Sequence, residues 1–253
     1  MAQLTDEAAC QLGIRIISPD RPGICDSSLQ PDRKLTDWPR VLQRLVDHLG
    51  IGEFRILGIS GGAPYAYAAA VAMPDRVRAI AVVGGAPPIA ELSGAEGLLP
   101  LYRLMLALYR KRPKLLRKCF RLAGPILSLK PPVRFRPLFL KLLMLRPCDA
   151  ESLRDSAAFE AVFESQRRAW RASAEGVIAD AQIYAQAWGF SVEDVRVPVR
   201  LWHGTQDRAF SFKLAEEIAR RLPSCKARFI EGAGHYSLPI RHIRAILEDL
   251  VSV

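Results

Sequence analysis

Acidic side chains are missing from one long stretch of this 253-residue chain: between Leu101 and Pro147 stand thirteen Lys and Arg and no Asp or Glu. Other absences bound the problem. The five cysteines (Cys10, Cys25, Cys119, Cys148, Cys225) are odd in number, scattered, and show neither CxxC nor Cys/His ligand spacing. They read as reduced thiols, which excludes a disulfide frame and a zinc site and points to the cytoplasm. Met1 to Cys10 carries Asp6 and Glu7 but no apolar core segment, so no secretory signal is expected. The uncharged run Ile56 to Met73 is broken by Gly58, Gly61, Gly62 and Pro64, which argues against a membrane span. No internal repeat is visible. What remains is ordinary for a globular chain: 50% apolar residues, 25% charged, and a net charge of +10. That charge bears on solubility and on anionic partners rather than on fold.

Short apolar runs alternate with helical periodicity over much of the chain. Asp6 to Gly13 reads as a short helix closed by glycine, Ile14 to Ser18 as a strand, and Pro19 to Gly23 as a tight turn. Trp38 to Leu49 has the apolar spacing of an amphipathic helix, followed by strand Phe54–Ile59, helix Ala63–Met73 and strand Val77–Val83. From Ile89 to Phe190 helical periodicity with proline breaks takes over, including expected helices at 150–169 and 173–188. Alternation returns after Pro198, with strands Val199–Trp202 and Ala227–Ile230 and helices Lys213–Leu222 and Ile240–Leu250. The expected architecture is α/β, a mostly parallel sheet with helices on both faces. Residues 1–88 and 191–253 form the core, and 89–190 a helical cap over the carboxyl ends of the strands, where ligands bind.

Gly58-Ile59-Ser60-Gly61-Gly62 joins a buried strand to an Ala-rich helix. Strand, sharp turn with a serine at the tip, and helix make a nucleophile elbow. Gly58 and Gly62 are expected where larger side chains would collide as strand and helix pass. A serine hydroxyl needs a base, and the base needs a carboxylate to fix its tautomer. Two further strand ends supply both: Asp207 in His203-Gly204-Thr205-Gln206-Asp207, and His235 in Gly232-Ala233-Gly234-His235. Asp180 and Asp194 are alternative acids, but neither lies at a strand end before the histidine. His203, His48 and His242 read as structural or solvated.

The order Ser60, Asp207, His235, with Asp20-Arg21-Pro22-Gly23 after the first strand, resembles the α/β-hydrolase fold family across most of the core. The resemblance implies Ser60 as nucleophile, His235 as base and then acid, Asp207 as the orienting carboxylate, and the Gly61 N–H as an oxyanion donor. It implies a serine hydrolase cleaving an ester-type or related carbonyl substrate with an apolar part, through an acyl-enzyme, without metal or cofactor. Cys25 stands where the family usually has glycine. The family also places three strands and a His-Gly loop, with a second oxyanion donor, ahead of the Asp20–Gly23 turn, so the chain reads as N-terminally truncated. Losing one donor costs about 10²–10³ in turnover. It also implies a gap between strand Ile14–Ser18 and the elbow strand. An alternative is therefore a non-catalytic, truncated hydrolase-like chain that binds a partner or an anionic membrane surface through its basic cap.

The basic stretch is interleaved with Leu104, Leu108, Leu115, Phe120 and Leu138. Its bland reading is a solvated cap face whose apolar stripe covers the acyl pocket. Basic amphipathic helices can also lie on an anionic membrane surface or select an anionic substrate. No nucleic-acid motif accompanies the charge, so nucleic acid is not expected.

Overall fold

The computed structural model describes residues 2–92, 96–130, 132–143 and 145–253; within the expected cap, residues 93–95, 131 and 144 therefore lie outside the described residues. The elements are α1 (Asp6–Gln11), α2 (Trp38–His48), β1 (Phe54–Ile59), α3 (Ala63–Ala72), β2 (Val77–Val83), α4 (Pro100–Lys111), α5 (Pro113–Leu127), α6 (Arg136–Leu142), α7 (Pro147–Ser152), α8 (Ser156–Ala172), α9 (Ala174–Ala185), β3 (Val199–Gly204), α10 (Phe212–Arg221), β4 (Cys225–Ile230) and α11 (Ser237–Val251). The four strands pair in parallel in the order β1-β2-β3-β4. Parallel neighbours need crossover connections, and helices supply them.

β2 shows why the sheet is buried on both faces. Ile80 and Val82 join a core with α2, α3 and α10, whereas Ala79, Ala81 and Val83 pack with Leu238, Ile246 and Leu250 of α11. Successive side chains point to opposite faces, so a run that is apolar throughout requires cover on each. Helix α3 is buried from Ala63 to Ala70, which accounts for its small side chains: it lies tight on the sheet.

Two expectations are corrected. Ile14–Ser18 forms no strand, and Ile16 and Ile17 stand exposed. A β-branched run becomes a strand only where a neighbour completes its ladder, and among the described residues no strand pairs with it. The elbow strand consequently lies at an edge rather than beside a gap in mid-sheet. The helix expected at 150–169 is instead two: α7 ends at Ser152, and Asp155 caps α8 by accepting from the Ala158 N–H at 2.8 Å.

Among the described residues of 89–190, the elements are helices, apart from one isolated bridge between Leu98 and Phe210. This helical layer is fastened to the core by polar contacts. Asp180 of α9 accepts from Arg21, Arg33 and the Tyr65 hydroxyl, with its side chain 7% exposed and that of Arg33 3%. Burial alone would raise the Asp180 pKa, but the two guanidiniums hold it below the usual carboxylate range. The carboxylate considered as an alternative catalytic acid is therefore committed elsewhere. Asp194 is likewise occupied, accepting from the Ser191 N–H at 2.9 Å.

Candidate active site

Ser60 adopts a φ of +53°, left-handed backbone that a non-glycine residue enters only when its surroundings compel it. The turn is forced by close passage: a Cβ on Gly58 would meet Ala66 Cβ and the Gly62 carbonyl at 3.0 Å. Gly62 behaves otherwise. Nothing lies within 4 Å of a Cβ placed there, so the expected steric role falls instead to Gly61, where a Cβ would come 2.5 Å from the Tyr184 hydroxyl. Cys25 also takes a left-handed backbone, at φ +49°, so position 25 keeps a conformation that suits glycine while carrying a cysteine.

The structure brings the three expected side chains together. Ser60 Oγ lies 2.9 Å from His235 Nε2, and His235 Nδ1 lies 2.8 Å from Asp207 Oδ2. A carboxylate only accepts, so Nδ1 carries the proton and Nε2 is left to accept from the serine. The other Asp207 oxygen accepts from the N–H groups of Ala209 at 2.7 Å and Phe210 at 3.1 Å. Burial raises the Asp207 pKa, but His235 beside it outweighs that effect and the net shift is downward. For His235 burial disfavours the imidazolium, yet Asp207 and, more weakly, Asp149 override it and raise its pKa. His203 is buried, its Nε2 3.0 Å from the Phe210 carbonyl. Burial lowers its pKa, consistent with a neutral structural ring.

All three loops lean over the carboxyl end of β2. There Gly84, at φ +52°, leaves the space: a Cβ would sit 3.3 Å from Asp207 Oδ2 and 3.4 Å from His235 Nδ1. The backbone N–H of Gly61 belongs to the first turn after β1, where such groups have no intrahelical acceptor. The Gly61 carbonyl accepts from Tyr184 of α9 at 3.0 Å.

Asp149 was missed by sequence reasoning. It is 3% exposed in α7, and its carboxylate accepts from three consecutive N–H groups: His235 at 3.1 Å, Tyr236 at 3.0 Å and Ser237 at 2.8 Å. It thus grips the loop that carries the histidine and caps the N-terminus of α11. Being 86 residues from its partner, it offered no local signal beyond an acidic residue in the first turn of a helix. Tyr184 was equally invisible, as a tyrosine on a packing helix.

An apolar cluster abuts the triad. Ala86, Ile89, Leu98, Leu106, Ala209 and Phe210 form it, with Tyr102 and Tyr184 against it. Phe210 meets the His235 ring edge-on at 5.9 Å. Among the described residues, no group of three His, Cys, Asp or Glu is arranged to hold a metal ion.

Comparison with known proteins agrees with this geometry. The chain is 24% identical over 237 residues to the uncharacterized hydrolase YcgS of Bacillus subtilis (strain 168), covering 90% of this chain and 78% of that protein. A thermophilic esterase from Thermogutta terrifontis matches with a TM-score of 0.64 at 19% identity, over 99% of this chain and 84% of that one. The enol-lactonase of Burkholderia xenovorans LB400 matches at 0.61 and 18% identity, over 98% and 85%. The sequence model of the alpha/beta hydrolase fold matches residues 3–240. With a match over nearly its whole length, the chain belongs to the α/β-hydrolase fold family.

Proposed function

We propose that this protein is a serine hydrolase that cleaves an ester or related carbonyl compound bearing an apolar group. The observation that carries the reading is the continuous relay from Ser60 Oγ through His235 to Asp207, at 2.9 and 2.8 Å. In this reading Ser60 Oγ attacks the carbonyl carbon while its proton passes to His235 Nε2. The carbonyl π electrons move to oxygen, which the Gly61 N–H stabilises. Collapse of the tetrahedral species expels the leaving group, which takes the proton from Nε2 and leaves an acyl group on Ser60. Water then attacks the acyl carbon, giving its proton to the same nitrogen. Collapse returns that proton to Ser60 Oγ and releases the acid. Asp207 stays ionised throughout and stabilises the imidazolium.

The apolar cluster of Leu98, Leu106 and Phe210 supports an apolar acyl or alcohol part, since its side chains abut the relay. The esterase and the enol-lactonase among the structural neighbours fit a reading of carbonyl–oxygen bond cleavage. The test pairs two measurements. Wild-type protein is expected to hydrolyse p-nitrophenyl esters and to be labelled on Ser60 by a fluorophosphonate probe, read by peptide mass. Ser60→Ala is expected to abolish both while keeping the same circular dichroism. Ester turnover that survives in Ser60→Ala would sink the proposal.

A further inference from the structure

The acid-free stretch lies in α4, α5, α6 and their connections, and these elements expose large apolar side chains as well as charge. Among the described residues, eleven of the sixteen exposed large apolar side chains fall between Leu101 and Leu143, so the exposure is concentrated on one part of the cap. On α5 it is also ordered. Leu115, Cys119, Leu122 and Ile126 recur at i, i+4, i+7 and i+11, which puts them in one stripe along the helix. Leu122 is 66% and Ile126 70% exposed.

The protein's own core is served by a different stripe of the same helix. Leu116 and Gly124 are buried, and Phe120 meets Trp170 of α8 at 5.5 Å. The apolar arc of α5 is therefore wider than the surface that covers it. α4 repeats the pattern: Leu106 is buried in the cluster beside the triad, whereas Leu101 and Leu104 stand in solvent.

Charge borders the uncovered stripe. Helical rotation places Lys114, Lys118 and Arg121 along its flank. Glu175 takes Arg117 and Arg121, and Glu160 takes Lys130 and Arg136. Among the described residues, Lys111, Lys114, Lys118 and Lys141 reach no carboxylate. Among the described residues no helix is long and apolar enough to cross a membrane.

We propose that the outer face of α4 and α5, continuing into α6, docks on an anionic lipid surface, with the α5 stripe entering the acyl boundary and its lysines meeting lipid phosphates. A leucine stripe edged by lysines is the arrangement of helices that lie in the interface plane. A second copy of this chain is a poorer occupant, because self-pairing would oppose like charges. Nucleic acid would leave the leucines against phosphates. Docking does not rest on the hydrolytic reading, although it would bring the outer side of α4 to the lipid while its inner side faces the triad.

The test is flotation of the full chain with vesicles of phosphatidylcholine alone, or mixed with phosphatidylglycerol, at low and high salt. Binding to the mixed vesicles is expected, with little to the neutral ones, and weaker binding at high salt as screening grows. Leu122→Ser with Ile126→Ser should weaken binding by about 100-fold or more, since burying each lost side chain contributes upward of ~1.5 kcal/mol. Lys114→Gln with Lys118→Gln should weaken it by about 30-fold, at ~1 kcal/mol per basic residue near the surface. Ser60→Ala should bind like wild type, which separates failure of docking from failure of catalysis. Turnover of a water-soluble ester should be unchanged in both pairs of variants. The proposal falls if mixed vesicles are not bound or if the serine pair binds as wild type. It falls equally if size exclusion shows a wild-type dimer that the serine pair dissociates, or if the face retains duplex DNA or an acidic protein but no vesicles.

Discussion

Asp149→Asn separates a structural cap from a residue that positions the proposed base, His235. The carboxylate offers Oδ1 to Tyr236 and Ser237 and Oδ2 to His235. An asparagine has one carbonyl oxygen. Placed at the Oδ1 position it keeps two bonds, now without charge, and turns its NH₂ toward the His235 N–H. One charge-assisted bond of about 1.5–3 kcal/mol is lost, and so is the negative charge at the start of α11, about 0.3–1 kcal/mol. Unfolding in urea should therefore show a loss of about 2–4 kcal/mol. Catalysis should change in two ways. The freed loop lets the ring drift from Ser60, and displacement of a reacting group by an ångström costs about 10²-fold, so kcat should fall by about 10- to 100-fold with little change in KM. His235 also loses one of two carboxylates that raise its pKa. Since the neutral ring is the base in the proposed reaction, the acid limb of the pH–rate profile should move to lower pH. The other groups facing the ring, Asp207, Phe210 and Tyr236, are untouched. A variant that loses stability but keeps kcat and the pH limb would reduce Asp149 to a helix cap. One that loses neither would refute the reasoning.

Further outcomes can be measured with the same assays. Asp207→Asn should lower kcat by about 10⁴, as when the acid of such a triad is neutralised, and should shift the acid limb downward more than Asp149→Asn does. Asp180→Asn should destabilise by about 3–5 kcal/mol, because the buried Arg33 loses its carboxylate. The Asp180 pKa is depressed in the folded state, so the wild-type advantage should be full above the ordinary carboxylate value and vanish as pH falls through the depressed one. Denaturant midpoints across pH would show it, and a constant gap would count against the ion pair. Gly61→Ala drives a methyl onto the Tyr184 hydroxyl and should cost about 1–3 kcal/mol. Adding Tyr184→Phe should restore part of that loss in a double-mutant cycle.

Features written in contiguous residues were legible in advance. β1, β2 and the elbow follow from unbroken apolar runs meeting Gly58 and a serine, and the loops carrying Asp207 and His235 follow from glycine-rich strand ends. What depended on a distant partner was not. Ile14–Ser18 has the composition of a strand and lacks the ladder, which composition does not encode. Gly62 sits in the motif, yet open space surrounds it, while Gly61 is confined by a tyrosine 123 residues away in sequence. Asp149 and Asp180 gain their importance from what they face, three N–H groups in one case and two guanidiniums in the other. The surplus apolar arc of α5 is plain in its spacing; which half the protein covers is a matter of packing.

The two outer strands of the sheet carry two side chains of the proposed relay, Ser60 after β1 and His235 after β4. Among the described residues each outer strand is paired on one side, so each can loosen without the whole molecule unfolding. Fraying at either margin pulls on the same 2.9 Å contact. The proposed hydrolysis would thereby depend on the two weakest borders of the sheet rather than on its centre, and on gentle heating ester turnover should decline before the bulk helical signal does.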